Sequence, residues 1–222
     1  VEKGEDVHAR LMDRVYRSQR HFYDITRRYY LLGRDRLIEG LVPEPGMKVL
    51  EVGCGTGRNL VLAARRFPDA SFYGMDISRE MLATAHRAAK RAKVEAVLCY
   101  GDATRFNPYA TFGVSRFERI YLSYTLSMIP DWQTTLAQAV CNLAPGGSLH
   151  IVDFGQQERL PRWFRGLLRG WLAKFHVSPR GDLERVLRVI AEKLGAELSF
   201  RPLYRGYAWY AVLKLSANQK NA

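Results

Sequence analysis

Cysteine is scarce. The chain has three, Cys54, Cys99 and Cys141, scattered without the paired spacing of a metal site, and an odd number argues against a disulfide framework. Long apolar runs are missing as well: nothing approaches the roughly 20 residues that would cross a bilayer. The first ten residues, VEKGEDVHAR, are charged where a secretion signal would be apolar, so a reducing cytoplasm is the expected home. There is no internal repeat and no low-complexity linker, only a short polar tail over 216–222. Acidic residues are outnumbered, 22 against 34 Lys and Arg, for a formal net charge of +12. That excess concerns partners rather than fold, and points to nucleic acid, an anionic lipid surface or an acidic substrate.

What is present suits one α/β domain, since 222 residues supply a substantial core and little beyond it. Strand-like runs fall at 48–52, 71–75, 95–100, 119–123, 148–153, 196–202 and 207–215. Helix-like segments lie between the first six, near 59–66, 79–91, 132–142 and 182–193, and this alternation predicts a parallel sheet covered on both faces. The stretch 104–117 has no clear helical period and reads as a loop or short helix. Only a few residues separate the last two strands, too few for a parallel crossover, so they should form an antiparallel hairpin. The domain then divides into a helical lid (1–46), a core (47–153), a basic amphipathic insertion (154–181), and a last helix with its hairpin (182–222).

The strongest local signal is Glu51-Val52-Gly53-Cys54-Gly55-Thr56-Gly57, where an apolar strand runs into three alternate glycines and then a helix. Glycine lets a ligand approach the backbone where a Cβ would block it. A dinucleotide loop spaces its glycines as G-x-G-x-x-G around a pyrophosphate. Here the third glycine comes one residue early and Glu51 sits at the strand end, which would repel a pyrophosphate and suit the ammonium of a methionyl group. The second strand ends in Gly74-Met75-Asp76-Ile77, placing an acid for ribose hydroxyls. The third ends in Gly101-Asp102-Ala103, where Asp102 could accept an exocyclic adenine amine. Three acids at three successive strand ends are hard to explain as turns alone.

This set, with Ala144-Pro145-Gly146-Gly147 before the fifth strand, resembles class I S-adenosylmethionine-dependent methyltransferases over about 48–153. The resemblance implies a Rossmann-like, seven-stranded, mostly parallel sheet with an antiparallel last strand and helices on both faces. It also implies S-adenosylmethionine as the donor, S-adenosylhomocysteine as the product, and no metal. Glu51, Gly53 and Gly55 would surround the methionyl part, Asp76 the ribose, and Asp102 with Ala103 the adenine. Ile77 and Ser123 complete the implied cofactor set, and the 121–124 stretch would face the sulfonium.

The acceptor must be read elsewhere, because one scaffold serves many chemistries. No Asn/Asp-Pro-Pro-aromatic box follows the fourth strand, which argues against a base amine and against nucleic acid. In 162–175, Trp163, Leu167, Trp171 and Phe175 recur every four residues, with Arg162, Arg165, Arg169 and Lys174 outside that stripe. A basic helix with a Trp/Phe/Leu face fits a membrane interface, although such a stripe also describes a helix covering its own core. The segment 16–36 is dense in tyrosine and arginine, and suggests a lid with Tyr23 closing on the sulfonium.

The residues 21–35, HFYDITRRYYLLGRD, together with 154–180, are similar to the methyltransferases of betaine-lipid synthesis. That similarity implies successive N-methylation of diacylglyceryl-homoserine at the inner face of a membrane. A phosphatidylethanolamine N-methyltransferase would share class and substrate type, and an RNA methyltransferase would also suit the charge. Tyr23, Tyr29, Tyr30 and Tyr124 are the expected aromatics around a growing methylammonium, stabilised by cation–π attraction. No strong base is evident, since His21 is a lone histidine in a basic helix. Arg28, Arg34 or Arg205 would bind a headgroup carboxylate or phosphate.

Overall fold

A run such as Val49, Leu50 and Val52, apolar on both sides of the chain, must lie between two layers, and strand β1 (Lys48–Val52) does. The computed structural model describes residues 31–175 and 177–217. Helix α1 (Arg34–Leu41) precedes β1, and α2 (Arg58–Arg66), β2 (Ser71–Asp76), α3 (Arg79–Ala92) and β3 (Val97–Tyr100) follow. A five-residue helix α4 (Pro108–Phe112) leads to β4 (Phe117–Ser123), α5 (Trp132–Cys141) and β5 (Leu143–Phe154). The chain ends in α6 (Arg162–Lys174), α7 (Leu183–Leu194), β6 (Glu197–Leu203), a 3₁₀ turn (Tyr204–Gly206) and β7 (Ala208–Lys214).

The seven strands form one sheet in the order β3-β2-β1-β4-β5-β7-β6. All neighbours are parallel except β7, which runs antiparallel to both β5 and β6. This is the Rossmann-like arrangement expected from the alternating pattern and the short last connection. On one face Leu50, Ile120, Leu122 and Ile151 meet α5 and α7 through Leu136, Ala139, Leu183 and Leu187. On the other, Val49, Tyr121 and Val152 meet α1, α2 and α6 through Leu37, Leu60 and Leu172.

Three strand starts differ from the sequence expectation by two residues or more, and β4 is one of them, beginning at Phe117 rather than 119. β5 begins at Leu143 rather than 148, because Leu143 already pairs with Phe117 across an irregularity that absorbs the Pro-Gly-Gly run. β3 begins at Val97 rather than 95. The stretch 104–117, expected as a loop or short helix, holds the short α4, which Asn107 starts by accepting from the Ala110 amide, with Pro108 in the first turn, where a missing N–H costs nothing. Of the predicted lid, only 31–46 lies within the described residues, and α1 is its one helix there.

Candidate functional site

The C-terminal ends of the parallel strands carry the site. After β1 the backbone turns sharply: Gly53 and Gly57 take φ of 71° and 75°, a region open to glycine and strained for other residues. A Cβ on Gly53 would lie 2.5 Å from Thr125 Cγ2, and one on Gly57 would lie 2.9 Å from Ala85 Cβ on α3. The loop therefore lies against its neighbours as bare backbone. Met75 carbonyl oxygen accepts from both the Gly53 and Cys54 amides at 2.9 Å, anchoring the loop to the end of β2.

Asp76 ties two loops together. Its Oδ2 accepts from the Gly55 amide at 2.8 Å and its Oδ1 from the Ser78 amide at 2.9 Å. Ser78 in turn caps α3 by accepting from the Met81 amide. Asp76 is only partly buried, and its carboxylate closes one side of the loop. Ile77, between Asp76 and the cap, is partly buried. Asp102, beyond β3, accepts from the Thr104 amide and hydroxyl at 2.9 and 2.8 Å and lies 3.6 Å from the Arg105 guanidinium. Ala103 packs against the core beside it.

Glu51 lies deeper. It is 1% exposed, beneath the loop rather than on the surface of the crevice. Asn59 Nδ2, on α2, donates to its Oε1 at 3.2 Å, and the Tyr121 hydroxyl, on β4, donates to Oε2 at 3.1 Å. Burial pushes the carboxyl up to about 8. The same burial raises the Cys54 thiol and the Tyr121 phenol, with Glu51 and its neighbours adding to the effect. Asn59 was not singled out as a site residue, and Tyr121 was expected only as part of the 121–124 stretch facing the sulfonium, not as a partner of Glu51. Glu51 and Tyr121 are cross-strand partners in the β1–β4 register, a pairing that periodicity alone does not reveal.

Two buried oxygens beside the loop have no protein partner, Asn59 Oδ1 and Ser123 Oγ. They suit a ligand bearing donors, and Ser123 ends β4 next to β1. Tyr124, the residue after it, is 3% exposed and sits at φ 57°. Its hydroxyl donates to the Leu32 carbonyl, and its ring meets Phe154 edge-on at 4.6 Å between centroids. Tyr124 thus holds the chain entering α1 against the sheet. His21, Tyr23, Arg28, Tyr29 and Tyr30 lie outside the described residues. Arg34 is 8% exposed and donates to the Leu31 carbonyl at 3.0 Å, whereas Arg205 is exposed on the β6–β7 turn.

The amphipathic stripe divides along its length. Trp171 and Phe175 lie against the core with Leu168 and Leu172, while Trp163 and Leu167 are 70% and 67% exposed. Phe164 is also exposed and meets Trp163 edge-on. Arg169 donates to Gln156 and Gln157, fastening the middle of α6 to the end of the sheet. No helix among the described residues is long and apolar enough to cross a membrane.

Residues 49–147 match the family model of a methyltransferase domain. Nocamycin O-methyltransferase of Saccharothrix syringae is 32% identical over 136 residues, 60% of this chain and 47% of that protein. Demethylmenaquinone methyltransferase of a Geobacillus strain is 26% identical over 157 residues, 69% and 65% of the two chains. The chain thus spans about half the length of the curated relatives it matches first. Its fold is shared with the plantazolicin methyltransferase BpumL in complex with SAH and a desmethylPZN analog. That match has a TM-score of 0.69 and 14% identity, and covers 96% of this chain and 98% of the other.

Proposed function

We propose that the methyltransferase domain of this chain moves methyl groups from S-adenosylmethionine to the amine of a lipid headgroup, successively, giving a trimethylated betaine lipid from diacylglyceryl-homoserine. The bare loop at Gly53–Gly57, with Glu51 and Asp76 at the ends of β1 and β2 and Asp102 beyond β3, carries the donor half. What supports this half is the partly buried Asp76 beside the loop, Glu51 beneath it, and the two buried oxygens of Asn59 and Ser123 that have no protein partner. The partial matches to methyltransferases of several acceptor types support the class of reaction.

When bound, the donor supplies a methyl carbon on a positively charged sulfur. The acceptor nitrogen must arrive neutral, its lone pair forming the N–C bond as the C–S pair returns to sulfur; the proton on the new ammonium then leaves to water before the next round. The loop and Asp76 hold the nucleoside in place, and alignment of this kind is worth effective molarities of about 10⁵–10⁸ M. Tyr23, Tyr29, Tyr30 and Tyr124 are the aromatics assigned to the methylammonium.

The lipid half rests on the outer end of α6. Trp163, Phe164 and Leu167 stand in solvent beside Arg162 and Arg165, the composition of a helix that settles into an anionic interface. The similarity of 21–35 and 154–180 to betaine-lipid methyltransferases agrees with it. The test is to incubate purified protein with labelled donor and total lipid extract, then separate the products. A labelled betaine lipid supports the reading, and labelled phosphatidyl-N-methylethanolamine moves the acceptor to an ethanolamine lipid. Label in RNA with none in lipid overturns the lipid half. Failure to bind S-adenosylhomocysteine overturns the donor half as well.

A further inference from the structure

The Glu51 carboxyl is enclosed on every side by described elements. Tyr121 approaches from β4 and Asn59 from α2, while Asp76 on β2 and Cys54 in the loop are the acidic groups nearby. The Leu60 amide also bonds to it, and the cluster that holds Leu60 and Tyr121 takes from α1 the apolar Leu37 and Ile38. No cation among the described residues accompanies it. The donors to the carboxyl, Asn59, Tyr121 and the Leu60 amide, are all neutral, so a negative charge there would be stabilised by hydrogen bonds and opposed by burial and by Asp76.

From this geometry we infer that Tyr121 and Asn59 are positioning residues that hold Glu51 as a proton-linked receptor for the ammonium end of the donor, so that donor binding expels a proton from Glu51. The inference rests on the donor half of the proposed function. In the free protein the carboxyl stays protonated near neutral pH, because burial has moved it up to about 8. Arrival of a fixed ammonium above the loop supplies the missing positive charge. Glu51–COOH becomes the carboxylate, the proton passes to buffer, and the two neutral side-chain donors, with the Leu60 amide, keep the anion in one orientation. Asn59 does this with Nδ2 while its buried Oδ1 is left for the ligand.

The experiment is titration calorimetry of S-adenosylhomocysteine into the whole protein in buffers of different ionisation enthalpy. Near pH 7 the heat should depend on the buffer, reporting release of about one proton, and affinity should rise about tenfold per pH unit between about pH 6 and 7.5. Tyr121→Phe removes a donor to the anion. Its affinity should weaken near neutrality and recover as pH rises, moving the whole curve to higher pH. Asn59→Ala should do the same, and serves if Tyr121→Phe does not fold. Glu51→Gln should make the heat independent of buffer.

Binding with buffer-independent heat and a flat pH profile in the wild-type protein overturns the inference while leaving the donor assignment standing. Equal weakening of both Tyr121→Phe and Asn59→Ala at every pH also overturns it, since that is what merely structural damage produces. Absence of binding at any pH is the separate failure of the donor assignment, and the inference falls with it.

Discussion

At His150, Ser148 Oγ lies 2.8 Å from Nε2 and the Tyr210 hydroxyl 3.2 Å from Nδ1, and burial with Arg119 nearby pushes the ring down to about 3. Its folded value is below the ordinary 6.5, so the stability tied to the neutral ring is present above pH 6.5 and lost as pH falls toward 3. Glu51 runs the other way: raised from 4.5 to about 8, its contribution is complete below pH 4.5 and lost as pH rises toward 8. Denaturant titrations of His150→Asn should therefore show a flatter acid limb than wild type, by about 3 kcal/mol between pH 7 and 4. Glu51→Gln should flatten the alkaline side, on the order of 4 kcal/mol between pH 5 and 8. At Gly57, an alanine would meet Ala85 in a left-handed conformation. Gly57→Ala should cost about 2–4 kcal/mol in denaturant unfolding. Such positions were legible in the sequence, because a backbone that admits no Cβ leaves glycine as its mark. The Glu51–Tyr121 clasp was not, since its partners stand 70 positions apart and meet only through strand register.

Helix α6 shows what a periodic pattern can and cannot tell. Spacing of four identified its apolar stripe, but which part is covered depends on where the helix lies against α1, α2 and the sheet. Leu172 is 1% exposed, so Leu172→Ala should cost about 2–5 kcal/mol by calorimetry or denaturant. The double replacement Trp163→Ala with Leu167→Ala touches only the exposed end and should alter stability by about 0.5 kcal/mol or less. It should nonetheless weaken sedimentation with vesicles containing anionic lipid, while S-adenosylhomocysteine binding is retained. Unchanged sedimentation would remove α6 as the contact surface. The start of β5 was misjudged for a related reason: Pro145, Gly146 and Gly147 read as a turn in isolation, yet Leu143 before them is claimed by Phe117.

At the scale of the molecule, the sheet has a parallel half and a half that holds the reversed strand. The acids Glu51, Asp76 and Asp102 stand at the ends of β1 and β2 and beyond β3 on one half of the sheet, while β5, β7 and β6 make up the other. The alternating pattern foretold the parallel half, and the few residues between 203 and 207 foretold the reversed strand. Segment 155–159 adds three backbone bonds of its own to the β6–β7 turn, from the amides of Gly155, Gln157 and Arg159 to Tyr207, Gly206 and Arg205. Loosening the turn should thus disturb α6 as well, which hydrogen exchange would register as loss of protection over 155–175 in a variant with 204–206 lengthened.

The strand inserted between β5 and β6 is the last of the seven along the chain. While the polypeptide is being made, six strands are available before the one that joins the final pair, and β5 meanwhile presents a free margin of amides and carbonyls. That margin is the interval of greatest danger for the nascent chain, because another molecule's strand can occupy it. Sheet completion therefore waits for β7, and slow synthesis over the β6–β7 hairpin would be felt as aggregation.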